Sequence, residues 1–243
     1  MKTSIIQNFL IAFFLIYHGQ VVKEGVKFHR NYSFANSDII NSVKEHGEDD
    51  NDSKYGKNSV TLLPFGDIDD KAIEIAVNSI KEIYGWKVIL LEREELPSSA
   101  WYKPRKRHRA EIILKWLEGR KPENAQKIMG ITNRDISTTK PPIKDWGICG
   151  LADIDGVASV VSTYRIKKKL GSGTPAEKKN KYIRRLRDLV AHEFGHSLGL
   201  EHCSNSGCIM QDARGTVLTF DKSTGKLCER CKSILEGKGY HLP

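Results

Sequence analysis

The chain has 243 residues, of which 39% are hydrophobic and 28% charged, and a formal net charge of +9. This length suits one compact domain with a sizeable core, or one domain whose two lobes flank a cleft. The ordinary composition excludes protein classes that are defined by a biased amino-acid composition. The positive charge is compatible with acidic partners such as nucleic acid or anionic membranes.

The first residues predict an export signal. Lys2 gives a short positive segment, and residues 9–17 (FLIAFFLIY) form an unbroken apolar run. A membrane span needs about 20 residues, so this run has the length of a signal core instead. We therefore predict a signal peptide over residues 1–19, ending at Gly19, and a secreted or periplasmic protein. The alternatives are an uncleaved membrane anchor and a buried helix.

A polar stretch separates this signal from the folded part of the chain. Residues 20–58 contain many acidic and asparagine residues and few regularly spaced apolar ones, which predicts a linker before a folded domain over 59–243. Periodicity and residue type then predict helices at 67–84 and 109–117 and strands at 60–63, 86–91, 127–132 and 158–165. This alternation predicts an α/β or α+β fold over a mixed sheet.

A third helix is the most clearly marked element. The residues Thr174-Pro175-Ala176-Glu177 combine a capping box with a proline at the first helical position. The apolar stripe of this helix continues into Glu193 and His196, and His192 lies at its edge. Three arginines lie beside the apolar stripe or away from it: Arg184, Arg185 and Arg187. Much of the helix's charge is therefore predicted to face solvent.

The end of this helix carries the pattern of a catalytic zinc site. His192 and His196, four residues apart, can bind one metal from the same helix face. A glycine at position 199 can reverse the chain so that His202 returns as a third ligand. A catalytic zinc keeps a fourth position open for water, and Glu193 can accept a proton from that water.

Four of the five cysteines follow in the last 41 residues, in the series Cys-x4-Cys…Cys-x2-Cys. This spacing favours a closed structural zinc site with four thiolate ligands: Cys203, Cys208, Cys228 and Cys231. Two disulfides are the alternative that an exported protein would permit. Because Cys203 adjoins His202, we expect the second metal to brace the loop that carries the third histidine. The fifth cysteine, Cys149, is interpreted as small buried filler.

Together these residues resemble the archaemetzincins, a branch of the metzincin zinc peptidases. The chain matches the family pattern His-Glu-x-x-His-x-x-Gly-x-x-His-Cys-x4-Cys-x-Met-x17-Cys-x-x-Cys at every specified position from His192 to Cys231. The resemblance implies two Zn²⁺ ions per chain, one catalytic and one structural, with Glu193 as general base and Met210 as the Met-turn residue beneath the catalytic zinc. It also implies an upper lobe with a twisted mixed sheet and helices, an active-site cleft, and a small lower lobe braced by zinc.

The leading hypothesis is therefore zinc-dependent hydrolysis of peptide bonds in a peptide or protein substrate, through Glu193-assisted attack of water. A zinc-stabilised binding module without catalysis, for example for nucleic acid, is the competing hypothesis, and hydrolysis of a non-peptide amide is a third. The basic run at 103–109 (KPRKRHR) is interpreted as a solvated face, because no nucleic-acid-binding module surrounds it. A membrane partner is expected only if the N-terminal segment is an uncleaved anchor.

Overall fold

The computed structural model of the protein describes residues 56–243. The predicted signal peptide at 1–19 and nearly all of the predicted linker at 20–58 lie outside these residues. Within residues 56–243, no helix has both the length and the apolar character needed to cross a bilayer.

The described residues form two β-sheets and five α-helices. The strands are β1 (Ser59–Pro64), β2 (Lys87–Leu90), β3 (Trp101–Tyr102), β4 (Arg107–Arg109), β5 (Lys127–Thr132), β6 (Ile136–Lys140), β7 (Ile143–Ile148), β8 (Gly150–Ala152) and β9 (Ala158–Ser162). The helices are α1 (Asp70–Tyr84), α2 (Ala110–Glu118), α3 (Thr163–Ile166), α4 (Pro175–Ser197) and α5 (Glu229–Gly237).

The larger sheet has the strand order β2-β1-β5-β9-β8. Its first four strands are parallel, and β8 lies antiparallel to β9 at one edge. The smaller sheet has the order β3-β4-β6-β7 and also mixes parallel and antiparallel pairs. This architecture confirms the predicted α/β (α+β) fold over a mixed sheet.

The two faces of the larger sheet bury different helices. Residues two apart along a strand share a face, so Val60 and Leu62 of β1 pack with α1 and α4, while Leu63 packs with α2 on the opposite side. The first cluster continues into the cysteine-containing segment, where Met210 is fully buried. The core therefore joins the sheet, the long helix α4 and the C-terminal part of the chain.

Most predicted elements coincide with observed ones. The strand predicted at 127–132 matches β5, and the helices predicted at 67–84 and 109–117 overlap α1 and α2. Helix α1 begins later than predicted because Asp69 caps it, accepting a hydrogen bond from the backbone N–H of Ala72 (2.8 Å). Gly85, with φ +69°, ends the helix.

Two predictions about local structure are wrong. The strand predicted at 158–165 ends at Ser162, because the Ser162 hydroxyl accepts a hydrogen bond from the N–H of Tyr164 and caps the short helix α3. The basic run at 103–109 is not a uniformly solvated face. Arg107, in β4, pairs with Asp135 and Asp145 at 2.9 and 2.8 Å, so part of this charge is neutralised inside the smaller sheet.

The assignment of Arg185 to solvent is also wrong, because this side chain is fully buried in α4. Its guanidinium makes two hydrogen bonds of 2.7 Å to the carboxylate of Asp221. It also donates to three backbone carbonyls between α3 and α4, those of Ile166, Lys168 and Lys169. Helical periodicity places a side chain on a face but does not show that a loop will cover that face.

Replacing Arg185 by methionine is expected to lower the free energy of unfolding by about 3–5 kcal/mol, because it leaves the Asp221 carboxylate and three carbonyls without their donor. Urea denaturation measures this change. The matched control is Arg184→Met on the exposed side of the same helix, expected within about 0.5 kcal/mol of wild type. Equal effects of the two substitutions would contradict the role assigned to the buried pair.

Candidate active site

Helix α4 presents two of the predicted metal ligands side by side. Nδ1 of His192 lies 2.8 Å from the carbonyl oxygen of Ile209, and Nδ1 of His196 lies 2.7 Å from that of Leu200. A carbonyl only accepts, so both rings carry their proton on Nδ1 and direct a free electron pair from Nε2. The two Nε2 atoms lie 3.1 Å apart.

The third predicted ligand joins them after the chain reverses. Gly199 adopts φ +91°, a left-handed conformation that a side chain would disfavour, and the backbone then returns toward the helix. The ring of His202 lies 5.3 Å from that of His192 and 4.9 Å from that of His196, between ring centroids. One nitrogen from each of the three rings falls within a span of 4.8 Å. His202 is exposed, whereas the other two are buried.

The imidazoles on α4 are held in the form that binds metals. Burial, followed by the neighbouring His196, lowers the pKa of His192 to about 3. Burial likewise lowers the pKa of His196. Both rings are therefore neutral at physiological pH, as ligation requires.

Glu193 lies beside this triad and is 7% exposed. None of the described residues donates a hydrogen bond to its carboxylate, and burial raises its pKa to about 8. The edge strand β8 closes over it at Gly150. A Cβ atom at Gly150 would stand 2.5 Å from Cγ of Glu193, so only glycine lets the edge strand approach this closely.

The four predicted structural cysteines also converge, and all are free thiols. Their sulfur atoms lie within 4.8 Å of one another, with 3.7 Å between Cys203 and Cys228 and 3.8 Å between Cys208 and Cys231. A tetrahedral zinc with Zn–S bonds of about 2.3 Å gives sulfur separations of about 3.8 Å, whereas a disulfide needs about 2.05 Å. The arrangement fits four metal-bound thiolates and not two disulfides.

Backbone and side-chain donors surround these sulfurs. The side-chain amide of Asn205 donates to Sγ of Cys228 at 3.1 Å, and its backbone N–H donates to Sγ of Cys203 at 3.4 Å. The backbone N–H of Cys228 donates to Sγ of Cys208 at 3.4 Å. Donors directed at sulfur favour the thiolate form, which is the form that binds zinc.

Three consecutive residues connect the cysteine cluster to the histidine cluster. Cys208 supplies one thiol, Ile209 supplies the carbonyl that accepts from His192, and Met210 is buried beneath α4. A Cβ atom at Gly195 would lie 2.5 Å from Sδ of Met210, so glycine is required for this close contact. The two clusters are thus parts of one packed unit.

A cleft runs along these groups and encloses a cavity of about 450 Å³. Residues 146–152 form its upper wall, helix α4 its floor, and residues 212–220 its lower wall. Cys149 belongs to the upper wall and packs against the core as predicted, but it is partly and not fully buried. Burial, followed by the nearby Glu193, raises the pKa of its thiol to about 12.

The upper wall is tied to the end of α4 by a buried amine. Nζ of Lys127 donates to the carbonyls of Gly156 (2.9 Å) and Ser197 (2.7 Å). The backbone N–H of Asp155 donates to the carbonyl of His196 (2.9 Å). These bonds fix the segment after β8 against the helix that carries the triad.

The structure thus brings together all the predicted site residues: His192, Glu193, His196, His202, Met210, Cys203, Cys208, Cys228 and Cys231. The supporting contacts of Gly150, Lys127 and the Ile209 carbonyl were not predicted from the sequence. A backbone carbonyl has no side-chain signature, and the contacts of Lys127 and Gly150 join segments far apart in the chain. Only the tertiary structure reveals them.

Comparison with known proteins supports this architecture. Residues 70–237 match the model of peptidase family M54. The archaemetzincin of Haloquadratum walsbyi is 30% identical over 177 residues, covering 72% of this chain and 98% of the relative. That of Halobacterium salinarum is 29% identical over 174 residues, covering 71% of this chain and 96% of the relative.

A solved structure shows the same fold. The crystal structure of archaemetzincin from Methanopyrus kandleri aligns with a TM-score of 0.60 at 27% identity, covering 74% of this chain and 93% of that one. The matched family region spans both the histidine and the cysteine clusters. The chain therefore belongs to peptidase family M54, the archaemetzincins, and is a zinc-dependent metallopeptidase.

Proposed function

We propose that His192, His196 and His202 hold the catalytic zinc and that Glu193 is the general base for peptide-bond hydrolysis. The observation that carries this proposal is the orientation of the two helical imidazoles. Their Nδ1 atoms are engaged by carbonyls, and their Nε2 atoms stand 3.1 Å apart beside a buried carboxylate. Two nitrogens on a tetrahedral zinc would lie about 3.3 Å apart, so the donor set fits the ion.

A zinc ion held by these three histidines would supply a Lewis acid that activates a water molecule for attack and polarises the scissile carbonyl. Glu193 then acts on protons: its carboxylate accepts one from the attacking water and returns it to the nitrogen of the leaving amine. Exclusion of water around the buried carboxylate strengthens its electrostatic interactions with the reacting groups.

The edge strand β8 provides the means to orient an extended peptide. It pairs with β9 on one side only, and it contributes to the upper wall of the cleft. A peptide added as a further strand would run along the triad and Glu193, with its backbone held by main-chain hydrogen bonds. The bonds of Lys127 and Asp155 to the end of α4 would hold this edge in a fixed position relative to the three histidines.

We also propose a second, structural zinc on Cys203, Cys208, Cys228 and Cys231, which gives two zinc ions per chain. The sulfur separations of 3.7 and 3.8 Å and the N–H donors directed at sulfur support it. This zinc would hold Cys208 in place and thereby position the Ile209 carbonyl and Met210, which contact the catalytic helix. The structural zinc would thus support the position of His192 as well as that of His202.

For the N-terminal region we propose export through the signal at 1–19, with a linker over 20–58 and the catalytic domain over 59–243. The apolar run at 9–17 supports the signal, and the start of β1 at Ser59 is consistent with the domain boundary. Sequencing the N-terminus of the protein after expression in a secreting host is expected to find the chain starting at residue 20. An intact Met1 on membrane-bound protein would instead support the anchor.

Replacing Glu193 by glutamine is expected to lower kcat by about 10²–10⁴-fold, because the amide cannot accept the proton, while both zinc ions remain bound. Peptide hydrolysis and metal analysis measure the two effects. The control is Glu201→Gln, an exposed carboxylate beside the third histidine, with expected kcat near wild type. Wild-type turnover by the Glu193 variant would refute its role as general base.

Replacing Cys228 by alanine is expected to reduce the zinc content from two ions per chain to one. A structural zinc contributes several kcal/mol of stability, and each kcal/mol shifts the melting temperature by about 2–4 °C. The melting temperature is therefore expected to fall by at least about 5 °C. Cys149→Ala is the matched control and should keep two zinc ions. Unchanged zinc content and Tm in the Cys228 variant would argue against a structural zinc.

A further inference from the structure

One end of the cleft is basic. Arg165, Lys168 and Lys169 line it, and we call this group the basic end. The acidic side chains that line the cleft are Glu193 and Asp212. Asp212 lies near the histidine triad, and its pKa is lowered by the N–H of Arg214 and then by His202 and Lys140. The cleft therefore carries positive charge at the basic end and a carboxylate beside the triad.

The charge of the basic end is only partly neutralised within the protein. Arg165 is paired with Asp135 through two contacts of 2.7 and 3.0 Å. Lys168 and Lys169 are exposed, and neither has an acidic partner within residues 56–243. Nζ of Lys168 lies 4.4 Å from the ring centroid of Tyr164. Two ammonium groups are thus available to a ligand.

The backbone that carries these lysines is held rigidly. The buried guanidinium of Arg185 donates to the carbonyls of Lys168 (2.7 Å) and Lys169 (3.0 Å). The same guanidinium binds Asp221, which belongs to the 3₁₀ helix Val217–Lys222 of the lower wall. Arg185 thereby fixes the basic end to the lower wall and takes up a carboxylate that could otherwise pair with the lysines.

The basic end also lies at a useful distance from the reacting groups. Arg185 precedes Glu193 by eight residues of one helix, a rise of about 12 Å. Cys149 of the upper wall is close enough to Glu193, Arg165 and Arg185 for their charges to affect the pKa of its thiol. An extended peptide advances about 3.4 Å per residue, so a substrate residue about three or four positions from the scissile bond can reach the lysines with its side chain or, in a short peptide, with its free C-terminus.

We propose that the basic end selects substrates carrying a carboxylate on the residues that occupy this end of the cleft. The carboxylate can come from an aspartate or glutamate side chain or from the free C-terminus of a short peptide. Because the backbone that carries the two ammonium groups is already fixed, binding a carboxylate has to order only the lysine side chains. This proposal rests on the proposed function, because it takes the cleft to be the peptide-binding site.

Binding can be measured apart from turnover with the full-length, zinc-loaded Glu193→Gln protein. Isothermal titration calorimetry would compare three forms of one otherwise neutral peptide: glutamate-containing with an amidated C-terminus, glutamine-containing with an amidated C-terminus, and glutamine-containing with a free C-terminus. We expect one of the two peptides with a carboxylate to bind about tenfold tighter than the glutamine-containing amide. This is the gain in affinity that two partly exposed charge pairs, one with each lysine, would give. The form that gains identifies the source of the carboxylate.

Charge reversal then assigns the preference to particular residues. In the double variant Lys168→Glu/Lys169→Glu, the tenfold preference is expected to vanish or invert, while affinity for the glutamine amide stays the same. Lys167→Glu is the matched control, since Lys167 lies next to these residues but pairs with Asp69 at 3.9 Å and does not line the cleft. It is expected to keep the preference.

Equal affinity for all three peptides, or a preference that survives the double reversal, would overturn the proposal. Neither result would affect the proposed function, which fails only if the Glu193→Gln variant hydrolyses peptides as fast as wild type. Because calorimetry reports binding in either case, the two failures are distinguishable.

Discussion

The hydrogen bond between Nδ1 of His192 and the carbonyl of Ile209 joins the two halves of this protein. Ile209 stands between Cys208, whose sulfur belongs to the thiol cluster, and Met210, which packs against Gly195 of the catalytic helix. The bond fixes the tautomer of His192 and so directs Nε2 toward the proposed metal. The thiol cluster holds the acceptor of this bond in place. The geometry of the proposed metal ligands therefore depends on residues 208–210, which do not line the cleft.

The upper side of the site is constrained by a different set of bonds. Lys127 reaches from β5 to the carbonyl of Ser197 at the end of α4, and it also binds the loop that follows the edge strand β8. Its burial lowers the pKa of the amine, but two carbonyl acceptors compensate part of the cost of desolvation. Gly150 brings the edge strand into contact with Glu193. Sheet, helix and thiol segment thus fix the cleft from three sides, and Arg185 fixes its basic end.

The sequence was sufficient for the parts of the site that are encoded by spacing. Histidines four residues apart on a well-capped helix must lie on one face, and the cysteine spacing predicted the second cluster. Contacts between distant segments were not predictable in this way. Helical periodicity places Arg185 at the edge of the apolar stripe of α4. The side chain is buried because the loop that carries Lys168 and Lys169 covers it. The smaller sheet was missed because its strands are short and contain charged residues that pair across it, such as Arg107 of β4 and Asp145 of β7.

We propose that two zinc sites with different ligands share one packed unit of the chain. X-ray absorption at the zinc edge of the purified full-length protein tests it most directly. With four sulfur ligands on one zinc and three imidazoles on the other, we expect two zinc ions per chain and an average of two sulfur ligands per ion at about 2.3 Å. A single zinc per chain with nitrogen and oxygen ligands only would contradict it.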